Sequence, residues 1–238
     1  MGWKRQVCLK LGSSLPSWLV SYGAAMAETM EMGRWLCASG YGCKANFASR
    51  DELFTEVARS IGTRVVLYLE FGVWQGASMR MWSNLIKNEQ SKLHGFDSFS
   101  GLPEAWIEGF PKGYFDTGGG VPAISDRRVQ FFKGWFEEIL PRYALPEHEV
   151  MVVSIDCDLY LPARYVLDFL APYFRPGDFL YFDEFHLPQH EVRAFREFTR
   201  NHSSIVFSLF GATQGFSGAV YRCDKVLQAV TEDRGAAD

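Results

Sequence analysis

Acids close three apolar segments of this sequence. Val150 to Ile155 runs into Asp156-Cys157-Asp158, Phe179 to Phe182 runs into Asp183-Glu184, and Val65 to Leu69 runs into Glu70. Parallel strands that end this way bring their carboxylates to one sheet edge, the edge where open α/β sheets bind ligands. Asp156, Asp158, Asp183 and Glu184 repel one another there unless they are protonated, solvated or neutralised. A hard divalent cation with oxygen ligands suits such a set, and Mg²⁺ is the metal expected. The other reading makes Asp158 and Asp183 helix N-caps, since each precedes a helical segment. His186, two residues past Glu184, is either a base or a side chain that is merely hydrogen-bonded.

A second chemistry lies in Glu70-Phe71-Gly72-Val73-Trp74-Gln75-Gly76-Ala77-Ser78. A buried strand, two glycines four apart and an opening helix make a turn where a ligand can approach the backbone and meet free N–H groups. The dinucleotide fingerprint Gly-x-Gly-x-x-Gly has two glycines where this chain has Glu70 and Gly72, so S-adenosylmethionine is favoured over NAD. Glu70 would repel a phosphate but suits the ammonium group of an amino acid. A β-branched residue at 72 would fill the space the ligand needs, with the fold expected to survive. An ordinary strand-to-helix turn is the plain alternative. About twenty residues further on, Asp97 is placed to accept ribose hydroxyls, or else to cap its own loop through Ser98 and its neighbours.

The elements that must hold these groups follow from pattern. The five apolar residues Val65 to Leu69 predict a central strand buried on both faces. Ser49-Arg50-Asp51-Glu52 is a capping box that opens a helix bearing Leu53, Val57 and Ile61. Met79, Trp82 and Ile86 space a helix after the glycine turn, Val129 to Phe132 forms a strand, and Arg164 to Phe174 a crossover helix stopped by Pro176-Gly177. A helix near Pro188 buries Val192, Phe195 and Phe198. Ser204 to Phe210 and Gly218 to Arg222 close as a hairpin. The fold class expected is α/β: Rossmann-like, doubly wound, a mostly parallel seven-stranded sheet with an antiparallel closing strand and helices on both faces. Trp135, in Lys133-Gly134-Trp135-Phe136 at a strand end, lies either against an adenine ring or in the core. The Gly- and Pro-rich stretch 104–125, with Trp106, Phe110, Tyr114 and Phe115, is a substrate wall or a surface excursion.

The organisation expected is a helical cap or lid over 1–45, one domain over 46–224 and a charged, mobile tail over 225–238. The first segment has no clean period and reads as a lid, a homodimer contact or short helices capping the sheet. With 24 basic and 28 acidic residues the chain offers no cationic face for nucleic acid, which leaves a small molecule as the partner expected. Five cysteines without a Cys-x-x-Cys pair fit reduced thiols in the cytoplasm. No apolar run is long enough for a membrane span, and Lys10 and Pro16 interrupt any signal-like core.

Taken in order, Leu69-Glu70-Phe71-Gly72-Val73, Gly95-Phe96-Asp97-Ser98-Phe99-Ser100-Gly101-Leu102-Pro103-Glu104, Lys133-Gly134-Trp135-Phe136 and Asp156-Cys157-Asp158-Leu159-Tyr160 resemble the macrocin O-methyltransferase family. The likeness covers about residues 50–200, and the ordered set is more specific than any one motif. It implies a class I fold, S-adenosyl-L-methionine as cofactor and Mg²⁺-assisted methylation of a sugar or other metabolite hydroxyl. It implies that Glu70, Gly72 and Gly76 line the methionine part, Asp97 the ribose, and that Asp156, Asp183 and Glu184 ligate the metal. The cofactor surface expected is Glu70, Phe71, Gly72, Val73, Gly76, Ser78, Asp97, Ser98, Gly134, Trp135 and Phe136; Asp156, Asp158 and His186 are the candidate bases. Two departures stand out. The family has two aspartates where this chain has Asp183-Glu184, and small hydroxyl residues where it has Leu161-Pro162-Ala163. The rival functions are a nucleotide or NAD binder on the same fold, and an interaction module that keeps the fold without catalysis.

Overall fold

The computed structural model describes residues 2–227. The chain divides into two compact units, Met1–Cys43 and the chain from Lys44 onward. The first unit holds α1 (Gly2–Ser14) and α2 (Ser17–Ala38), with Pro16 between them. At 22 residues α2 is longer than the short helices expected. Its Ala, Met, Glu and Leu content supports a helix by intrinsic preference, without needing a single apolar stripe. Among the described residues no helix is long and apolar enough to cross a membrane.

The second unit is built on seven strands: β1 (Val66–Phe71), β2 (Lys92–Asp97), β3 (Val129–Lys133), β4 (Val150–Ile155), β5 (Phe179–Phe182), β6 (Ile205–Ala212) and β7 (Ala219–Val226). They lie in the order β3-β2-β1-β4-β5-β7-β6. β7 runs antiparallel to both its neighbours, and every other pairing is parallel. This is the doubly wound sheet expected. Every residue of β1, β4 and β5 is buried, as unbroken apolar runs require when both faces are covered. One face is covered by α3 (Arg50–Ile61) and α4 (Ala77–Leu85), whose Leu53, Phe54, Val57, Met79 and Trp82 pack against Val66, Tyr68, Val152 and Tyr181. The opposite face receives α7 (Glu191–Asn201), whose Phe195 ring lies 5.0 Å from that of Phe182 and 4.5 Å from that of Tyr221.

The chain order reverses between β1 and β4. From β1 it winds outward to β2 and β3, and from β4 outward to β5, so the carboxyl ends of β1 and β4 open a crevice at the switch point. The backbone of Gly72 enters this crevice tied on both sides: its N–H donates to Phe96 O at 3.0 Å, and Asp156 N–H donates to Phe71 O at 2.9 Å.

Three boundaries differ from the reading of the sequence, each for a local reason. α6 (Tyr160–Leu170) begins before Arg164, because Pro162 falls in the first turn, where its missing N–H breaks no helical bond. α7 begins at Glu191 rather than near Pro188. The tail expected from residue 225 does not begin there, since Lys225 and Val226 pair with Val206 and Ile205 in the last rungs of the sheet; residues 228–238 lie outside the described residues. The Ser49 half of the capping box stands as expected, with Glu52 N–H donating to Ser49 Oγ at 3.2 Å, while the Glu52 carboxylate accepts from Ala48 N–H at 3.0 Å, one residue before the N-cap.

Candidate active site

A cavity of about 690 Å³ opens at the switch point. Its walls include Glu70, Gly72, Val73, Ser78, Asp97, Ser98, Trp135 and Phe136 on the side assigned to the cofactor, and Asp156, Asp158, Asp183 and Glu184 on the acidic side. Four expected residues are not on its wall. Phe71 is fully buried beneath the turn, stacked on Phe96 at 4.8 Å. Gly76 is the left-handed N-cap of α4, and Gly134 joins β3 to α5 (Phe136–Ile139). His186 is half-exposed, with Nδ1 3.3 Å from the Glu184 carboxylate.

Glu70 is buried at the end of β1, where its carboxylate accepts from the Tyr68 hydroxyl at 2.9 Å. Burial pushes its pKa up to about 8, against the opposing pull of that hydrogen bond and of Arg50. A cation brought beside the Glu70 carboxyl would favour its ionised form.

Asp97 has work to do before any ligand arrives. Its Oδ2 accepts from Val73 N–H at 2.7 Å and Trp74 N–H at 2.8 Å, and its Oδ1 from Phe99 N–H at 2.7 Å. A carboxylate offers about four lone-pair positions, so one remains, enough for a single hydroxyl rather than two. The loop-capping alternative is thus real and coexists with a place on the cavity wall. Asp97→Ala is expected to cost about 1 to 3 kcal/mol of stability with no ligand present, because three N–H groups lose their acceptor. Urea denaturation measures it, and an unchanged midpoint would mean that those groups find other partners.

The acidic wall is strained electrostatically and, at one residue, conformationally. Burial raises the Asp156 carboxyl well above the usual range, and the charges of Asp183 and Asp158 push the same way. Asp158 reaches about 7 through burial and through Glu184 and Asp183, and its backbone is left-handed at φ 63°. Beneath that turn lies Glu191, fully buried and absent from the sequence reading; its Oε1 accepts from Cys157 N–H at 3.3 Å. Asp183 accepts from the Tyr181 hydroxyl and stands 3.4 Å from the Arg50 guanidinium.

Carboxylate oxygens that raise one another's pKa fit a hard divalent cation in their chemistry. Their arrangement is not a formed ligand set: among the described residues no three His, Cys, Asp or Glu side chains make a group that could hold a metal ion. Arg50 was legible only as part of the capping box. A cation at the first position of a helix, where acids are favoured, was the available signal.

The remaining wall is aromatic. Trp106, Phe110 and Phe115 from the long loop line the cavity with Leu102 and Trp74. The loop folds on itself, with Leu102 N–H donating to Tyr114 O and Gly113 N–H to Leu102 O, both at 2.9 Å. Its rings then pack edge to face, Trp106 on Phe110 at 5.1 Å and Phe115 on Trp74 at 5.5 Å.

Comparison with known proteins agrees with this geometry. Residues 69–185 match the family model of a methyltransferase domain. A curated relative from Streptomyces olivaceus, 8-demethyl-8-(2,3-dimethoxy-alpha-L-rhamnosyl)-tetracenomycin-C 4'-O-methyltransferase, is 28% identical over 137 residues, covering 49% of this chain. The chain spans about half the length of that relative, 52% of it. Among solved structures, the calicheamicin methyltransferase CalS11 superposes with a TM-score of 0.58 at 24% identity, over 72% of this chain and 78% of that one. The O-methyltransferase NovP gives 0.57 at 19% identity, over 74% and 80%. Family model, fold and ordered motifs point the same way: residues 69–185, just under half of the chain, match the methyltransferase domain model.

Proposed function

We propose that this chain is an S-adenosylmethionine-dependent O-methyltransferase acting on a hydroxyl of a sugar or another secondary metabolite, with Mg²⁺ assistance. The observation that carries the proposal is the convergence of Glu70, the Gly72 turn, Asp97 and the Asp156–Asp158 segment on one cavity at the β1/β4 switch point. The relatives add the acceptor class: one is named for a rhamnosyl tetracenomycin and another, CalS11, for calicheamicin. In this reading Glu70 faces the cofactor's ammonium, the free lone pair of Asp97 takes one ribose hydroxyl, and Trp135 and Phe136 flank the base.

A sulfonium needs little activation, so the work left is to align an acceptor oxygen with the methyl carbon and to remove its proton. Asp158 faces the cavity with a pKa near neutrality, which suits a base working at neutral pH. Asp156, Asp183 and Glu184 would have to draw together to hold the magnesium, since among the described residues they are not a formed ligand set. When bound, the ion would supply Lewis-acid polarisation of the acceptor hydroxyl. The aromatic loop wall would seat the body of the acceptor and exclude water.

Calorimetry with S-adenosylhomocysteine tests the cofactor half. At pH 7 binding should take up no proton and release about one, because Glu70 starts neutral near its pKa of about 8 and ends ionised beside the ammonium. Two buffers of different ionisation enthalpy read that proton, and Glu70→Gln should remove it. A chain that binds NADH and not S-adenosylhomocysteine would instead be the nucleotide binder. One that binds neither would be the interaction module.

A further inference from the structure

The five cysteines do not share one environment. Cys223 is buried and Cys157 half-buried, whereas Cys8, Cys37 and Cys43 are exposed. Cys37 lies in the last turn of α2, and Cys43 follows six positions on, at the end of the first unit. Between them the helix stops and the chain turns back. Gly40 and Gly42 take left-handed φ of 77° and 74°, which glycine adopts freely. The N–H groups of Ser39 and Tyr41 donate to Trp35 O and Leu36 O, both at 2.9 Å, and the Tyr41 ring packs edge to face on Trp35 at 5.6 Å. This turn brings the two sulfurs to 3.4 Å, while the Cys43 thiol also donates to Gly33 O at 3.6 Å. Its hydrogen bond with Cys37, then burial and the Cys37 charge, hold the Cys43 thiol above its usual pKa. Cys43 is therefore the second of the two to react.

We propose that Cys37 and Cys43 are a modification site, a thiol pair set to close as a disulfide on exchange with a small disulfide such as oxidised glutathione. The inference stands apart from the methyltransferase reading, since both residues lie in the first unit and the cavity is lined from Arg50 onward. In the first step the Cys37 thiolate attacks one sulfur of the small disulfide. A mixed disulfide forms, and one small thiolate leaves and takes up the proton that Cys37 lost. Cys43 then gives up its proton and attacks the Cys37 sulfur, so the Cys37–Cys43 bond forms and the second small thiol leaves. Two electrons pass from the pair to the small disulfide, which ends as two thiols. The sulfurs have to close from 3.4 Å to about 2.05 Å. A Cβ at Gly40 or Gly42 would meet nothing within 4 Å, so the turn has room to take up the difference. Because the fold already holds the ends of the turn together, the second exchange runs at high effective concentration.

The test equilibrates the full chain in mixtures of oxidised and reduced glutathione, quenches with acid, blocks remaining thiols with N-ethylmaleimide and digests with trypsin. Cleavage after Arg34 and Lys44 leaves both cysteines in one peptide, Trp35–Lys44. By mass spectrometry that peptide should be two hydrogens lighter and carry neither glutathione nor maleimide, while the peptide of the exposed Cys8 carries glutathione. Cys37→Ser and Cys43→Ser should each leave glutathione on the remaining cysteine. Both side chains are exposed, so neither change is expected to disturb folding. In urea that unfolds the chain, the equilibrium constant for closing the bond should fall at least about tenfold, because the turn no longer holds its ends together. Glutathione or maleimide on both cysteines of the parent peptide, or equal closure in the folded and unfolded chain, overturns the proposal.

Discussion

Gly72→Ala is expected to melt about 10 °C or more below the parent, or not to fold. Gly72 has φ 90°, a conformation that side chains resist, and a Cβ built there would lie 1.7 Å from the carbonyl oxygen of Asp156 and 2.6 Å from its carbon. Neither neighbour can step aside. The Asp156 backbone is tied by its N–H to Phe71 O, on the other side of the same turn. Backbone strain costs about 1 to 3 kcal/mol and forced overpacking about as much again, so the sum is about 4 kcal/mol. For a domain of this size each kcal/mol lowers the melting temperature by about 2 to 4 °C. The clash expected from sequence was with a ligand, and the fold was expected to survive a larger residue at 72. The structure corrects that: the backbone of Asp156, just past the end of β4, occupies the space first, so a β-branched residue is worse still. A variant that melts with the parent and loses only cofactor binding would return the clash to the ligand.

What was legible and what was not divide along a physical line. β1, β4 and β5 could be read because burial on both faces demands apolar side chains at every position, a local property of the sequence. Their terminal acids could be assigned to one edge because parallel strands share a direction. Asp97 shows the limit. Its type and place suited a ribose, and nothing in the residues around it reveals that the N–H groups of Val73, Trp74 and Phe99 all point at its carboxylate. Arg50 and Glu191 were missed for a related reason: each works through a partner far away in sequence, Asp183 for one and Cys157 for the other. The aromatics of the long loop were visible as a group. Their closure over the cavity depends on backbone bonds between Leu102, Gly113 and Tyr114, which no periodicity records.

Asp158→Asn is expected to lower turnover by about 10² to 10⁴-fold while S-adenosylhomocysteine affinity stays unchanged, the range lost with a general base. Among the acids of the wall Asp158 is the one that joins a place on the cavity to a pKa of about 7. Asparagine is the right replacement for a second reason: it tolerates the left-handed backbone that Asp158 adopts at φ 63°, so the turn above Glu191 is preserved. The pH profile carries the sign. Below about pH 7 Asp158 is protonated and cannot accept a proton, so the parent's metal-free turnover should rise about tenfold per unit and level off above that point. The variant's residual rate should lack this limb. Stability should move the other way. A carboxyl whose folded pKa is raised costs stability as pH climbs from the ordinary carboxylate range through 7, so the variant should melt no lower than the parent at pH 8 and depend less on pH. Turnover within about threefold of the parent, with the limb intact, would move the base to Asp156, whose carboxyl burial also raises and which shares the same wall.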